Sequence, residues 1–170
     1  INVFGQFFNS GTLNCPSGLV NFANTFTTIQ IPAGDYFNIN VQGNPNGANL
    51  AGNIRVRNNF SFGGNCIVRL NEFNLTKDNH TAATLPGAGT NSYFATNGNG
   101  SLILPAIGNG AALGNSAFAF VGNSTYNPIS FTNTGAIDTF QIRVLDSVAP
   151  AYVNGIPVFN AFTSNVVNRS

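Results

Sequence analysis

Charge is what this 170-residue chain has least of. Six Lys or Arg and five Asp or Glu make up 6% of the residues, where an ordinary soluble domain carries about 25%. The net charge is +1. There is no basic stripe, so a nucleic-acid partner is not expected. Trp and Met are absent, histidine occurs once, at His80, and cysteine twice, at Cys15 and Cys66. A zinc site needs three or four ligands held close together. His80 stands in "KDNHT" and reads as an exposed turn residue, so no metal or other cofactor is expected. No apolar run is long enough for a membrane-spanning helix, and membrane insertion is not expected.

Scarcity of acids also bears on catalysis. The five carboxylates are Asp35, Glu72, Asp78, Asp138 and Asp146. Glycoside hydrolysis requires two of them about 5 to 9.5 Å apart. Glu72 and Asp78 are near neighbours, but both fall at turn or strand-edge positions, where a solvated carboxylate is the ordinary outcome. No G-x-S-x-G nucleophile elbow occurs. The chain reads as a non-enzyme.

Polarity comes instead from Asn, Thr, Ser and Gly, with asparagine supplying about one residue in six. Apolar residues make up 43%, including 16 Phe, enough for a core. With 19 Gly and 8 Pro, no window of a dozen residues sustains a capped 3.6-residue apolar stripe. Residues 106–120 come nearest, and Gly108, Gly110 and Gly114 weaken them.

Alternation of period two is found almost everywhere else. "YFNINVQ" sets Phe37, Ile39 and Val41 on one face, and "NIRVR" sets Ile54 and Val56 opposite Arg55 and Arg57. Strands are also expected in residues 1–8 and 18–31, and in "SLIL", "AFAFV", "PISFT", "DTFQIRVLD", "AYVNG" and "PVFNAF". "GNPNG", "GGN" and "NGNG" supply turn residues that tolerate positive φ.

The class is all-β with no significant helix. In residues 53–79 the apolar sets begin near Ile54, Phe60, Cys66 and Phe73, a step of six or seven residues. Such spacing predicts stacked β-solenoid rungs, or a β-sandwich of short strands. Asn at recurrent turns suits a stack, because one side-chain amide can bond the next. The expected division is a rung region with an N-terminal strand at 1–90 and a β-sandwich-like module at 91–170, or one continuous domain.

The chain starts at Ile1 and has no Met, which reads as a processed chain after signal-peptide removal. In an oxidising compartment Cys15 and Cys66 are expected to pair, closing a loop worth about 4 kcal/mol on the chain-entropy model. The alternative is two buried free thiols.

Two stretches resemble a known family. "IPAGDYFNINVQGNPNGANLAGNIRVRNNFSFGGNCIVRLNEFNLTKDN" (31–79) resembles a repeat of secreted surface proteins of Bacteroidota, of the type IX secretion-associated kind. The matching pieces are Gly34, Tyr36 and Asn38, then 50–56 and 68–76. Residues 92–148, with "GNSTYNPI" and "DTFQIRV" by close resemblance to its pattern, and the closing "VVNRS", look like the module that follows such rungs. The resemblance implies a secreted, cell-surface or extracellular protein that is structural or adhesive, and it transfers no catalytic residue. "DSV" at 146–148 is similar to the O-glycosylation pattern of that phylum and marks Ser147 as a candidate.

The function expected from the sequence is a subunit of an extracellular filament, a homopolymer joined by β-strand contacts. Ile1, Val3, Phe4, Phe7 and Phe8 would form an assembly arm completing a neighbour's sheet, or an ordinary first strand of their own domain. Arg143 is a candidate assembly contact. The alternative function is an adhesin or glycan-binding module on a cell surface. Tyr93, Tyr126 or Tyr152 would stack on sugars, and Arg55, Arg57 and Arg69 would align on one wet face to meet an acidic glycan.

Overall fold

A computed structural model describes residues 1–7, 9 and 11–145, and the backbone of 151–153, 156–158 and 166–169. It is nearly all β and forms a β-solenoid of about four turns. A short β1 (Asn2–Val3) lies one layer ahead of the first turn, which carries β2 (Leu13–Phe22) and β3 (Ile29–Ile31). The second carries β4 (Gly34–Val41) and β5 (Ala48–Leu50). The third carries β6 (Ile54–Val56), β7 (Phe60–Phe62) and β8 (Val68–Arg69). The fourth carries β9 (Leu75–Lys77), a 3-10 turn at Ala82–Thr84, and β10 (Phe94–Ala95). A last layer adds β11 (Leu102–Ile107), β12 (Ser116–Ala119) and β13 (Val121–Gly122). Then follow β14 (Ile129–Thr132), β15 (Asp138–Arg143), β16 (Ala151–Val153), β17 (Ile156–Val158) and β18 (Val166–Arg169).

Strands of successive turns pair in parallel. Leu13, Gly34, Ile54, Leu75 and Leu102 form one column on the main sheet. Ile29, Ala48, Val68, Phe94 and Val121 form another on the second sheet. Side chains alternate across each strand, so the columns that face inward are apolar and buried: Ile39 over Phe60, Val41 over Phe62, Tyr36 over Val56. Phe60, Phe62 and Phe94 pack ring to ring, with centroids 5.2, 4.9 and 5.4 Å apart.

The stack explains the six- to seven-residue step of the sequence. Each step is one side of the coil, and three sides make a turn. Bonds between equivalent positions of neighbouring turns span 19 to 21 residues, widening to 27 where the fourth turn meets the last layer. The extra residues include the 3-10 turn and Gly87. At Gly87 φ is +81° and a Cβ would lie 2.1 Å from the Phe62 carbonyl oxygen, so only glycine fits.

Asparagines bind the turns together from outside. Asn40 donates to Asn21 (2.7 Å) and Asn21 to Asn2 (3.1 Å). Asn79 donates to Asn58 (3.4 Å) and Asn58 to Asn38 (3.0 Å). Asn53 accepts from the Asn74 N–H, and Asn74 from the Ser101 N–H. These neutral ladders do what charge would do elsewhere, at no cost in repulsion or ion desolvation.

The main sheet passes without a break from β9 to β11, across residue 90, and continues antiparallel to β15 and β18. Expected strand 18–31 is in fact two strands. β2 begins earlier, at Leu13, and the chain turns a corner at 23–28, where Asn24 Oδ1 accepts the N–H groups of Phe26 and Thr27. Residues 106–120 contain strands and turns, and no helix.

Candidate functional site

The titratable side chains are spread around the coil. Arg57 donates to Asp35 at 2.8 and 2.6 Å, and Arg55 to Asp78 at 3.1 and 2.9 Å. The Arg57 guanidinium holds the Asp35 carboxyl below its ordinary value. Glu72 accepts from Asn99 Nδ2 at 2.6 Å, and Asp138 from the Thr139 N–H at 2.8 Å. Among the described residues no three His, Cys, Asp or Glu side chains gather as metal ligands.

Several expectations are corrected here. Cys15 and Cys66 are free thiols. Cys15 lies in the column of Tyr36 and Val56 on the main sheet, whereas Cys66 sits at the entry to β8 on the second sheet, two turns on. Layers of a sheet are about 4.8 Å apart, so two turns alone exceed the roughly 7 Å Cα limit for a bridge. His80 is not exposed: its relative accessibility is 0%. Burial pushes its pKa down. The three arginines do not align, because Arg55 lies in β6 of the main sheet and Arg57 in the bend that follows it, whereas Arg69 lies in β8 of the second sheet. Tyr93 is buried, not exposed.

Of the arm residues, Ile1 and Phe4 are exposed, while Val3 and Phe7 pack on the core. β1 lies parallel on β2 of its own chain, with the Asn21 N–H donating to the Ile1 carbonyl at 2.8 Å. Phe8, Ser147 and the side chain of Tyr152 lie outside the described residues. Arg143 alternates outward as expected and donates to the Gly98 carbonyl of its own chain.

Lys77 is the residue that sequence reasoning missed entirely. In "NLTKDN" it occupies an inward position of β9, over Val56, with 0% accessibility. Its ammonium donates to the carbonyls of Asn58 and Asn79 and to Thr84 Oγ1 at 3.0 Å. Burial pushes its pKa down to about 8.

Among the described residues an open groove of about 520 Å³ lies beside the second sheet. Asn44 builds one wall. Its buried amide donates to the carbonyls of Asn24 (2.8 Å) and Thr27 (2.7 Å), and its Oδ1 accepts the Asn46 N–H (2.8 Å). That fixes the turn whose Asn46 carbonyl accepts from Arg69 Nη1 at 3.1 Å. Opposite, a tight return from β13 places Tyr126, with the Asn127 N–H bonded to the Val121 carbonyl at 2.9 Å. Tyr126 is half-buried and its ring lies 5.7 Å from that of Tyr93. Cys66 lines the groove as well. Burial pushes its thiol up to about 11, against the opposite pull of Arg69, so it remains neutral at physiological pH. The lining contains no carboxylate.

Compared with known protein families, curated proteins and solved structures, the chain matches none.

Proposed function

We propose that this chain is an extracellular structural protein whose copies stack end to end into a filament through β-strand contacts. The carrying observation is the state of the N-terminal end of the stack. Ile1, Phe4, Leu19 and Phe26 are exposed there, Phe26 to 88% and Phe4 to 74%, and they make up most of the large apolar side chains left in solvent among the described residues. Scattered exposed apolar residues are ordinary, but a concentration at one end of a stack is the mark of a joint.

Strand edges add to it. The Ile29 N–H and the Ile31 carbonyl face β5, so the Gln30 backbone faces outward. Leu13 likewise bonds to Ala33, which turns Asn14 outward, and β1 covers only the far end of β2. β3 ends the second sheet, and the main sheet ends in β18 at its opposite edge. A parallel stack with an unpaired edge accepts a further strand, and a head-to-tail contact that does not close builds an open fibre. Near-zero net charge leaves little repulsion between copies. The location outside the cell rests on the charge-poor, Asn-rich composition and the resemblance to secreted surface proteins.

Electron microscopy and sedimentation of the purified chain test the reading. Filaments are expected, with an axial repeat of at least ~19 Å, four turns at ~4.8 Å. Phe4→Glu/Phe26→Glu changes two exposed side chains and is expected to give folded monomers. Asn14→Pro/Gln30→Pro removes two outward N–H groups and is expected to do the same. A wild-type chain that stays monomeric, or variants that polymerise like wild type, would sink the proposal. The groove favours a second reading, an adhesive or glycan-binding module.

A further inference from the structure

We infer that the groove between the Asn44 turn and Tyr126 is a binding site for a carboxylated saccharide, with Arg69 meeting the acid group and Tyr126 the sugar face. This site is independent of the stacking contact, and either can fail without the other.

The argument begins with charge. Arg55 and Arg57 are each committed to an aspartate at 2.8 and 2.6 Å. Arg69 has no carboxylate partner among the described residues, and its hydrogen bond to the Asn46 carbonyl uses one N–H of a five-donor fork. Nothing in the lining neutralises it. The adjoining Cys66 thiol is held protonated by burial. In a chain with six cations in all, this one stands half-buried in the wall of an open groove. An arginine fork matches the geometry of a carboxylate and binds it in two parallel hydrogen bonds.

The rest of the lining suits a sugar ring. Asn65, Asn91, Thr90 and Thr125 bring neutral amides and hydroxyls to the groove, the groups that bond to a ring's hydroxyls. The half-buried Tyr126 is braced against the buried Tyr93, and an aromatic ring of this kind packs against the apolar face of a pyranose. One cation among neutral groups fits a ligand with one acid group per ring. The volume, about 520 Å³, lies within the range of small-ligand sites. Asn44 prebuilds the cation's wall, so little ordering is left for the ligand to drive.

The test is an array of saccharides bearing galacturonic, glucuronic or sialic acid beside their neutral counterparts. It is followed by calorimetric titration of the best binder into the wild-type chain and three variants. Acidic saccharides are expected to bind in preference to neutral ones. Arg69→Gln is expected to weaken binding at least tenfold and to erase the acid preference. Tyr126→Ala should weaken acidic and neutral saccharides alike. Arg55→Gln, on the other sheet, should leave binding unchanged, and circular dichroism should show all variants folded. The inference is overturned if no acidic saccharide binds, if neutral saccharides bind equally well, or if Arg69→Gln binds like wild type.

Discussion

Lys77 is the residue where general expectation and position disagree most. Its sequence alternation is that of a strand, yet its side chain stands in a column of core residues. A buried ammonium survives only when hydrogen-bonded, and two carbonyls and the Thr84 hydroxyl satisfy it. Its lowered pKa, about 8, makes the unfolded chain the better proton binder between pH 8 and about 10.5. The Lys77 contribution to stability therefore rises with pH across that window. Cys66 acts oppositely: with the folded thiol at about 11, the unfolded chain loses its proton first, and stability falls as pH rises above about 9. Urea denaturation between pH 8 and 10 separates the two. Lys77→Met is expected to leave only the falling slope, and Cys66→Ala only the rising one. Parallel slopes in wild type and Lys77→Met would contradict the burial of a charged Lys77. Neither residue's role was legible in the sequence, because alternation identifies the two faces of a strand but cannot say that a lysine finds one carbonyl partner a turn back, at Asn58, and the other in the bend that follows it, at Asn79.

At the scale of the element, the unit is the turn of about 20 residues, not the strand. Two- and three-residue strands such as β6 and β8 would be unstable alone and exist because each is held above and below. Stability in such a stack is close to a sum over neighbouring turns. Removing residues 34–53 takes out one turn and brings Ile54 over Leu13, where Gly34 stood. That deletion is expected to give a folded, shorter solenoid with a lower Tm and an unchanged far-UV spectrum. Removing residues 34–43, half a turn, shifts every later side chain out of its column and is expected to abolish cooperative unfolding. Equal outcomes from the two deletions would rule out turn-wise stacking. The short-strand spacing was plain in the sequence, but whether six or seven residues made a rung or one side of a rung was not, since both give the same period.

The whole molecule is held together almost without charge. Its ion pairs among the described residues, Arg55–Asp78 and Arg57–Asp35, involve arginine side chains 52% and 44% exposed, and exposed pairs contribute little. Added salt should therefore hardly matter. Between about 0.05 and about 1 M NaCl the unfolding free energy is expected to change by less than ~1 kcal/mol, as read from urea titrations. A larger loss would mean that these pairs carry the fold, and that the asparagine ladders do not. The same lack of charge makes Arg69 conspicuous, since an isolated cation in a neutral groove is not screened by neighbouring carboxylates.

By itself, the sequence determined the class. Period-two alternation, glycine- and asparagine-rich turns and the absence of a helical stripe admit only β-structure, and the asparagine recurrence already pointed to stacking. These are local properties, written in residues a few positions apart. Tertiary structure alone decided what meets across turns: that Cys15 and Cys66 stand too far apart to bridge, that Lys77 and His80 are buried, and that Arg69 and Tyr126, 57 positions apart in the chain, line one groove. The reason is that a solenoid places residue i beside i+20 only if each corner takes the right number of residues. Corner geometry depends on hydrogen bonds such as those from the Asn44 amide to the Asn24 and Thr27 carbonyls, which form only once the neighbouring turn is in place.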